Sequence, residues 1–166
     1  MPKNTVNIFK KPRVLKVVVN IGLGRMSQVP QFEEKMLPEV MKELASITGQ
    51  YPKTNAARKS IAGFKIRTGQ VIGLMVTLRG KRSRDFLGRL INLVLPRIKD
   101  FRGLSLKNID SHGNLNIGLK EQLVFPEISP EFSKVNFGLE ITIVTSAKDQ
   151  SEAVEFYRSL RIPLRK

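Results

Sequence analysis

Residues 17–27, VVVNIGLGRMS, run as an apolar strand that breaks into glycines, and the reading of that break decides the fold. A dinucleotide-binding unit opens the same way, with a helix after the glycines whose N-terminus receives a pyrophosphate. That fingerprint needs a third glycine three places after the second, where helix and strand pack closely. Gly22 and Gly24 are present, but Ser27 holds the third position and Pro30 interrupts the stretch where the helix must already run. No acidic residue follows a second strand at the distance of about 20 residues that a ribose contact requires. No cofactor is therefore expected. The two glycines point to a sharp turn or to close approach of the backbone to a partner.

Outward from this strand, periodicity predicts an α+β fold. Leu15, Val17, Val19 and Ile21 share one face of the strand Val14–Ile21, and Lys16, Val18 and Asn20 share the other. Phe32, Met36, Val40, Leu44 and Ile47 recur at helical spacing up to Gly49, with Pro38 marking the first turn or a kink. Phe64–Arg67 and Gly73–Arg79 read as two strands about the loop Thr68–Val71. Phe86, Leu87, Leu90, Ile91 and Val94 form a second helical stripe, with Ser83 as its cap and Pro96 as its stop. Asn114–Leu119 and Leu139–Thr145 are further strands, and Asp149 with Glu152 forms a capping box for a last helix. The order β-α-β-β-α-β-β-α is related to the ferredoxin-like arrangement: a mostly antiparallel sheet with helices on one face. Each strand has one apolar face and one mixed face, so the second face is expected to stay open.

Length and charge narrow the function. A chain of 166 residues fits a single domain over residues 1–166, with a basic N-terminal tail at 1–11. There is no cysteine and one histidine, His112, which removes thiol chemistry and multi-histidine metal sites. No apolar run reaches the roughly 20 residues of a membrane span, and the N-terminus lacks the apolar core of a secretory signal. The net charge is +15, and its distribution is uneven. Residues 1–103 carry 21 basic and 6 acidic side chains, whereas residues 104–166 carry 8 of each. Such concentration of one sign is the footprint of a polyanion-binding surface.

The open face offers donors without stacking aromatics: Lys16, Asn20, Thr77, Arg79 and Asn116. That set suits phosphates, 2′-hydroxyls and shape, which favours folded, largely double-helical RNA. Enzyme readings are weak. Gly80-Lys81 lacks the Ser or Thr that would hold magnesium in a phosphate loop, since Arg82 follows. Asp110, Ser111 and His112 are too close in sequence to converge as a hydrolytic triad and read as a turn. Glu121 and Glu127 read as solvated carboxylates. No catalytic residue and no metal ligand is expected. Positive charge at Lys81-Arg82-Ser83-Arg84 opposes a helix dipole unless an anion sits nearby.

Longer motifs then narrow the class. KVVVNIGLG, ARKSIAGFKIRTG, IGLMVTLRGKR, LPRIKDFRGL and LNIGLKEQLVFPEI, in that order, resemble the bacterial-type large-subunit ribosomal protein five family, which binds 5S ribosomal RNA. The likeness runs from about Lys11 to the C-terminus. It implies a structural, non-enzymatic protein of the central protuberance, in a bacterial-type ribosome of cytoplasm or organelle. The implied partners are 5S rRNA, 23S-type rRNA, transfer RNA in the P site, neighbouring large-subunit proteins and a head protein of the small subunit; a membrane is not among them. Carried over by residue, the RNA-facing positions are Asn20, Gly22, Gly24, Arg58, Lys59, Ser60 and Gly63. The loop expected at transfer RNA is Arg67, Thr68, Gly69, Gln70 and Val71. Two departures stand out. The family's N-terminal amphipathic helix is replaced by about a dozen residues. Asn55 and Ala56 occupy positions where the family has Thr and a basic residue, leaving Lys53 to compensate.

Overall fold

The computed structural model describes residues 11–165, so nearly all of the expected basic tail lies outside the described residues. The elements in chain order are β1 (Val14–Gly22), α1 (Leu37–Thr48), β2 (Lys53–Ala56), β3 (Val71–Leu78), α2 (Gly80–Arg89), β4 (Leu115–Leu119), β5 (Leu139–Thr145) and α3 (Gln150–Ser159). The five strands form one sheet in the order β2-β3-β1-β5-β4, with every neighbouring pair antiparallel. The four strands β2-β3-β1-β5 give the ferredoxin-like order, because the β1-α1-β2 crossover leaves room for β3 between its strands. Strand β4 is added beyond them at the edge.

The alternation seen in the sequence sets the layers. Val17, Val19, Ile21, Leu74, Val76, Leu78, Leu115, Ile117, Leu119, Leu139, Ile141 and Ile143 are all buried, and the helices cover them. A single apolar cluster runs from Val17 to Ile162 and takes in residues of all three helices. Truncating one of its fully buried members, Leu74 or Ile141, to Ala would cost about 2–5 kcal/mol. Helix α1 ends at Gly49, whose left-handed φ of 68° suits glycine and whose N–H donates to the Ala45 carbonyl. Helix α3 starts as expected: Asp149 accepts from the Glu152 N–H at 2.8 Å, and the Glu152 carboxylate accepts from the Lys148 N–H.

Several expectations need correction. Leu15 does not join the apolar face; it is 43% exposed. A bulge between Val14 and Lys16 shifts the register against β5 and sends Val14 toward the core instead. Phe64–Arg67 is no strand. Its place in the sheet is taken by Lys53–Ala56, an edge strand with no apolar face to announce it. Ser83 does not cap α2. The helix begins at Gly80, and the Ser83 hydroxyl donates to the Gly80 carbonyl within the first turn. Pro38 lies in the first turn of α1, directly after a wide helical turn at Phe32–Met36.

Candidate nucleic-acid interface

The open face is built by cross-strand rows. Lys53, Met75, Asn20, Glu140 and Gly118 form one row across all five strands. Thr77, Val18, Thr142 and Asn116 form a second, and Asn55, Gly73 and Gly22 a third nearer the top of β1. Lys16 lies beside Val144, at the end where β3 runs out into Arg79. The sequence-predicted face residues Lys16, Asn20, Lys53, Asn55, Thr77 and Arg79 therefore share one surface. They occupy its β2-β3-β1 half.

Polar groups behave differently on the other half. There the Thr142 hydroxyl donates to Asn116 Oδ1 at 2.7 Å, a side-chain pair that ties the two strands together. Glu140 adds negative charge at the boundary. The side chains of Asn20, Asn55 and Thr77 have no such partner among the described residues; Thr77 accepts from Gln50 only through its carbonyl.

At the Gly22 end, residues 57–70 form a long β2–β3 loop with its own hydrogen-bonding. The Ala57 and Gln70 segments close its base, with Ala57 N–H donating to the Gln70 carbonyl and Gly69 N–H donating back to Ala57. Ser60 Oγ meets Thr68 Oγ1 at 3.0 Å and accepts from the Thr68 N–H. Ile61 and Ile66 bridge each other, and the chain reverses at Lys65, with a left-handed φ of 51°. The end of the loop is thus Ala62–Lys65. Thr68–Gln70 belongs to the returning limb, and Val71 is the first residue of β3. The sets Arg58–Gly63 and Arg67–Val71, expected as separate places, are two limbs of one protrusion. Two side chains fasten it to the turn after β1: Gln28 Nε2 donates to the Phe64 carbonyl at 2.9 Å, and Gln70 Nε2 donates to the Ser27 carbonyl at 2.8 Å. Arg58, Lys59, Ser60, Gly63, Arg67, Thr68 and Gly69 line its outer surface, and most of them are exposed.

The opening glycines sit against this loop. Gly22, Gly24, Arg25, Gln28, Phe64 and Ile66 line one shallow cleft. A Cβ added at Gly22, Gly24 or Gly63 would meet nothing within 4 Å, and none of the three has a left-handed φ. The fold itself does not need glycine there. Gly73 differs: its Cβ would come within 2.9 Å of the Ile21 carbonyl, so close β1–β3 packing requires it.

At the opposite end, helix α2 starts with Arg79 as its N-cap, which offers its backbone no side-chain acceptor, and with no acidic residue in the first turn. Lys81 and Arg82 add positive charge where the helix dipole is already positive. Residues 44–84 contain nine basic and no acidic side chains, and they span both ends of this half-face.

The rival constellations dissolve. Asp110 Oδ1 accepts from the backbone N–H groups of His112 and Asn114, and Asp110 Oδ2 accepts from the Asn114 side chain, which makes a turn closed by Gly113. Burial pushes the Asp110 carboxyl up, but those bonds outweigh it and hold it below its ordinary value. Glu127 pairs with Arg89. No group of three or more potential metal ligands occurs among the described residues, and no described helix is long and apolar enough to cross a membrane. What the sequence did not single out are Arg25, the 65% exposed Phe64 at the loop end and the 72% exposed Tyr51. Exposure of the aromatics is set by long-range packing, which no local pattern reports.

Comparison with known proteins identifies the family. The family described as ribosomal protein L5 matches residues 7–67, and the model for the C-terminus of that ribosomal family matches residues 71–164. The large ribosomal subunit protein uL5 of Halothermothrix orenii is 51% identical over 95% of this chain and 86% of its own. That of Synechococcus sp. strain RCC307 is 49% identical over 98% of this chain and 88% of its own. The uL5c protein of Gracilaria tenuistipitata var. liui is 48% identical over 95% of this chain and 86% of its own. With both halves of one sheet matched and about half of the aligned positions identical, the chain belongs to the ribosomal protein L5 family.

Proposed function

We propose that this structural protein of a bacterial-type large ribosomal subunit binds 5S rRNA through the β2-β3-β1 half of its open face. Asn20, Thr77, Lys16, Lys53, Asn55 and Arg79 supply the contacts on the sheet, and Arg58, Lys59, Ser60 and Gly63 supply those on the outgoing limb of the loop. Arg67–Val71, on the returning limb, contacts P-site transfer RNA. The remaining surface meets 23S-type rRNA, neighbouring proteins of the central protuberance and the small-subunit head. The reading makes it a scaffold and not an enzyme, with no cofactor.

The observation that carries it is the pairing of unpartnered donors with glycines the fold does not need. Gly22, Gly24 and Gly63 surround open space at the basic end of the sheet. Backbone can approach a sugar-phosphate chain closely only where no Cβ intervenes. The cations around it would replace condensed counterions on that chain.

Titration of purified protein with 5S rRNA at several salt concentrations tests this. Affinity should fall steeply with salt. Changing Arg58 and Lys59 together to Ala should weaken binding and lower the salt slope by about 2. An affinity that stays flat from low to moderate salt would overturn the proposal.

A further inference from the structure

The open face was expected to lack stacking residues, yet one aromatic stands at its edge. Tyr51 is 72% exposed, and Pro52 after it is buried while Lys53 is exposed again, the alternation of a strand. Continuing the β2–β3 register two residues beyond Lys53 and Met75 sets Tyr51 across from Thr77. The Gln50 side chain donates to the Thr77 carbonyl at 3.4 Å, which keeps the chain alongside β3 at this point.

The backbone around Tyr51 is held on both sides. The Thr48 hydroxyl lies between the Leu44 and Gln50 carbonyls, 2.8 and 2.9 Å away, and Arg82 Nη1 donates to Gln50 Oε1 at 3.2 Å. On the other side the proline fixes its own φ and restricts the residue before it to extended conformations. A large apolar ring is thus presented to water by a preorganised segment, between Lys53 and Arg82. Ordering such a ring on a ligand costs little entropy.

We propose that Tyr51 is a stacking platform for an unpaired nucleobase of the RNA that occupies the β2-β3-β1 face. The inference rests on the RNA-binding reading above and adds a base contact to a surface otherwise made of phosphate and sugar donors. Lys53, Arg79 and Arg82 hold the backbone of that nucleotide, and its base lies on the ring. Stacking of this kind tolerates any base, since each has a π-face.

The chain itself supplies the probe. It has no tryptophan and two tyrosines, of which Tyr157 is fully buried with its hydroxyl donating to the Gly113 carbonyl at 2.8 Å. Intrinsic tyrosine emission that responds to a surface ligand therefore reports Tyr51. Adding 5S rRNA should quench that part of the emission and shield it from acrylamide. The Tyr51→Phe protein, which keeps only the Tyr157 signal, should show neither effect and corrects for absorption by the RNA. Tyr51→Ala should weaken RNA binding about tenfold with an unchanged salt slope, while Tyr51→Phe should stay within about twofold. If RNA binds but leaves the emission unchanged, or if Tyr51→Ala binds as tightly as the parent, the stacking assignment falls and the RNA-binding reading stands. If no RNA binds, both fall together.

Discussion

The two halves of the open sheet face are made by the same rule and end in opposite conditions. Both come from strands that alternate apolar and polar residues over a common core. On the β5–β4 half, the Thr142 hydroxyl is bonded to Asn116 and Glu140 repels anions. On the β2-β3-β1 half, Asn20, Thr77, Lys53 and Arg79 face outward, and a cationic loop and a cationic helix start flank them at either end. Polar residues on a wet sheet need no partner, so their presence alone says little. The contrast says more: a side-chain pair bridges the strands on one half only, and the half without one coincides with the charge excess.

The largest effect should come from removing the neutral side altogether. Residues 104–165 bring β4, β5 and α3, and β5 is paired along β1 from Val14 to Asn20. A 1–103 protein keeps all the excess charge but should lose cooperative thermal unfolding and near-UV circular dichroism. If that fragment melts cooperatively, the two halves are separate folding units and the comparison breaks.

A pair of double substitutions sharpens it next. Asn20→Ala with Thr77→Val removes two outward donors and should weaken 5S rRNA binding about tenfold, at roughly 0.5–1.5 kcal/mol per lost hydrogen bond. Asn116→Ala with Thr142→Val should leave affinity within about twofold, because those groups are already engaged with each other. Equal losses in filter-binding titrations would erase the distinction between the halves.

Glu140 marks the border and should give the smallest change. It is the cross-strand neighbour of Asn20. Glu140→Gln should strengthen RNA binding a few-fold at low salt, with the gain fading as salt is raised, because the Debye length shrinks to about 8 Å at physiological ionic strength. A loss of affinity on this change would mean that the carboxylate faces a donor rather than phosphate.

How much of this was legible follows from what each element must do. Strands β1, β4 and β5 each bury one face, so their alternation writes them into the sequence. Strand β2, Lys-Thr-Asn-Ala, buries no face and left no trace, and Phe64–Arg67 drew the assignment through its apolar residues instead. The charge excess pointed to the stretch of chain that forms the candidate interface. The shape of the loop did not show, because Gln28 and Gln70 fasten it through contacts 36 and 43 residues apart in sequence. The same distance hid the exposed rings of Tyr51 and Phe64.

The position of β1 in the sheet has a consequence for synthesis. It is the first of the five strands to leave the ribosome that makes it, yet it lies in the middle of the sheet, between β3 and β5. At roughly 5–20 residues per second, the stretch from Gly22 to Thr145 takes on the order of ten seconds to complete. For that time the segment VLKVVVNIG lacks one or both of its neighbours. It is rich in β-branched residues, and such segments aggregate when left unpaired. Lys16 is the one charge within it, so the side chain assigned to RNA in the finished protein also guards the nascent one.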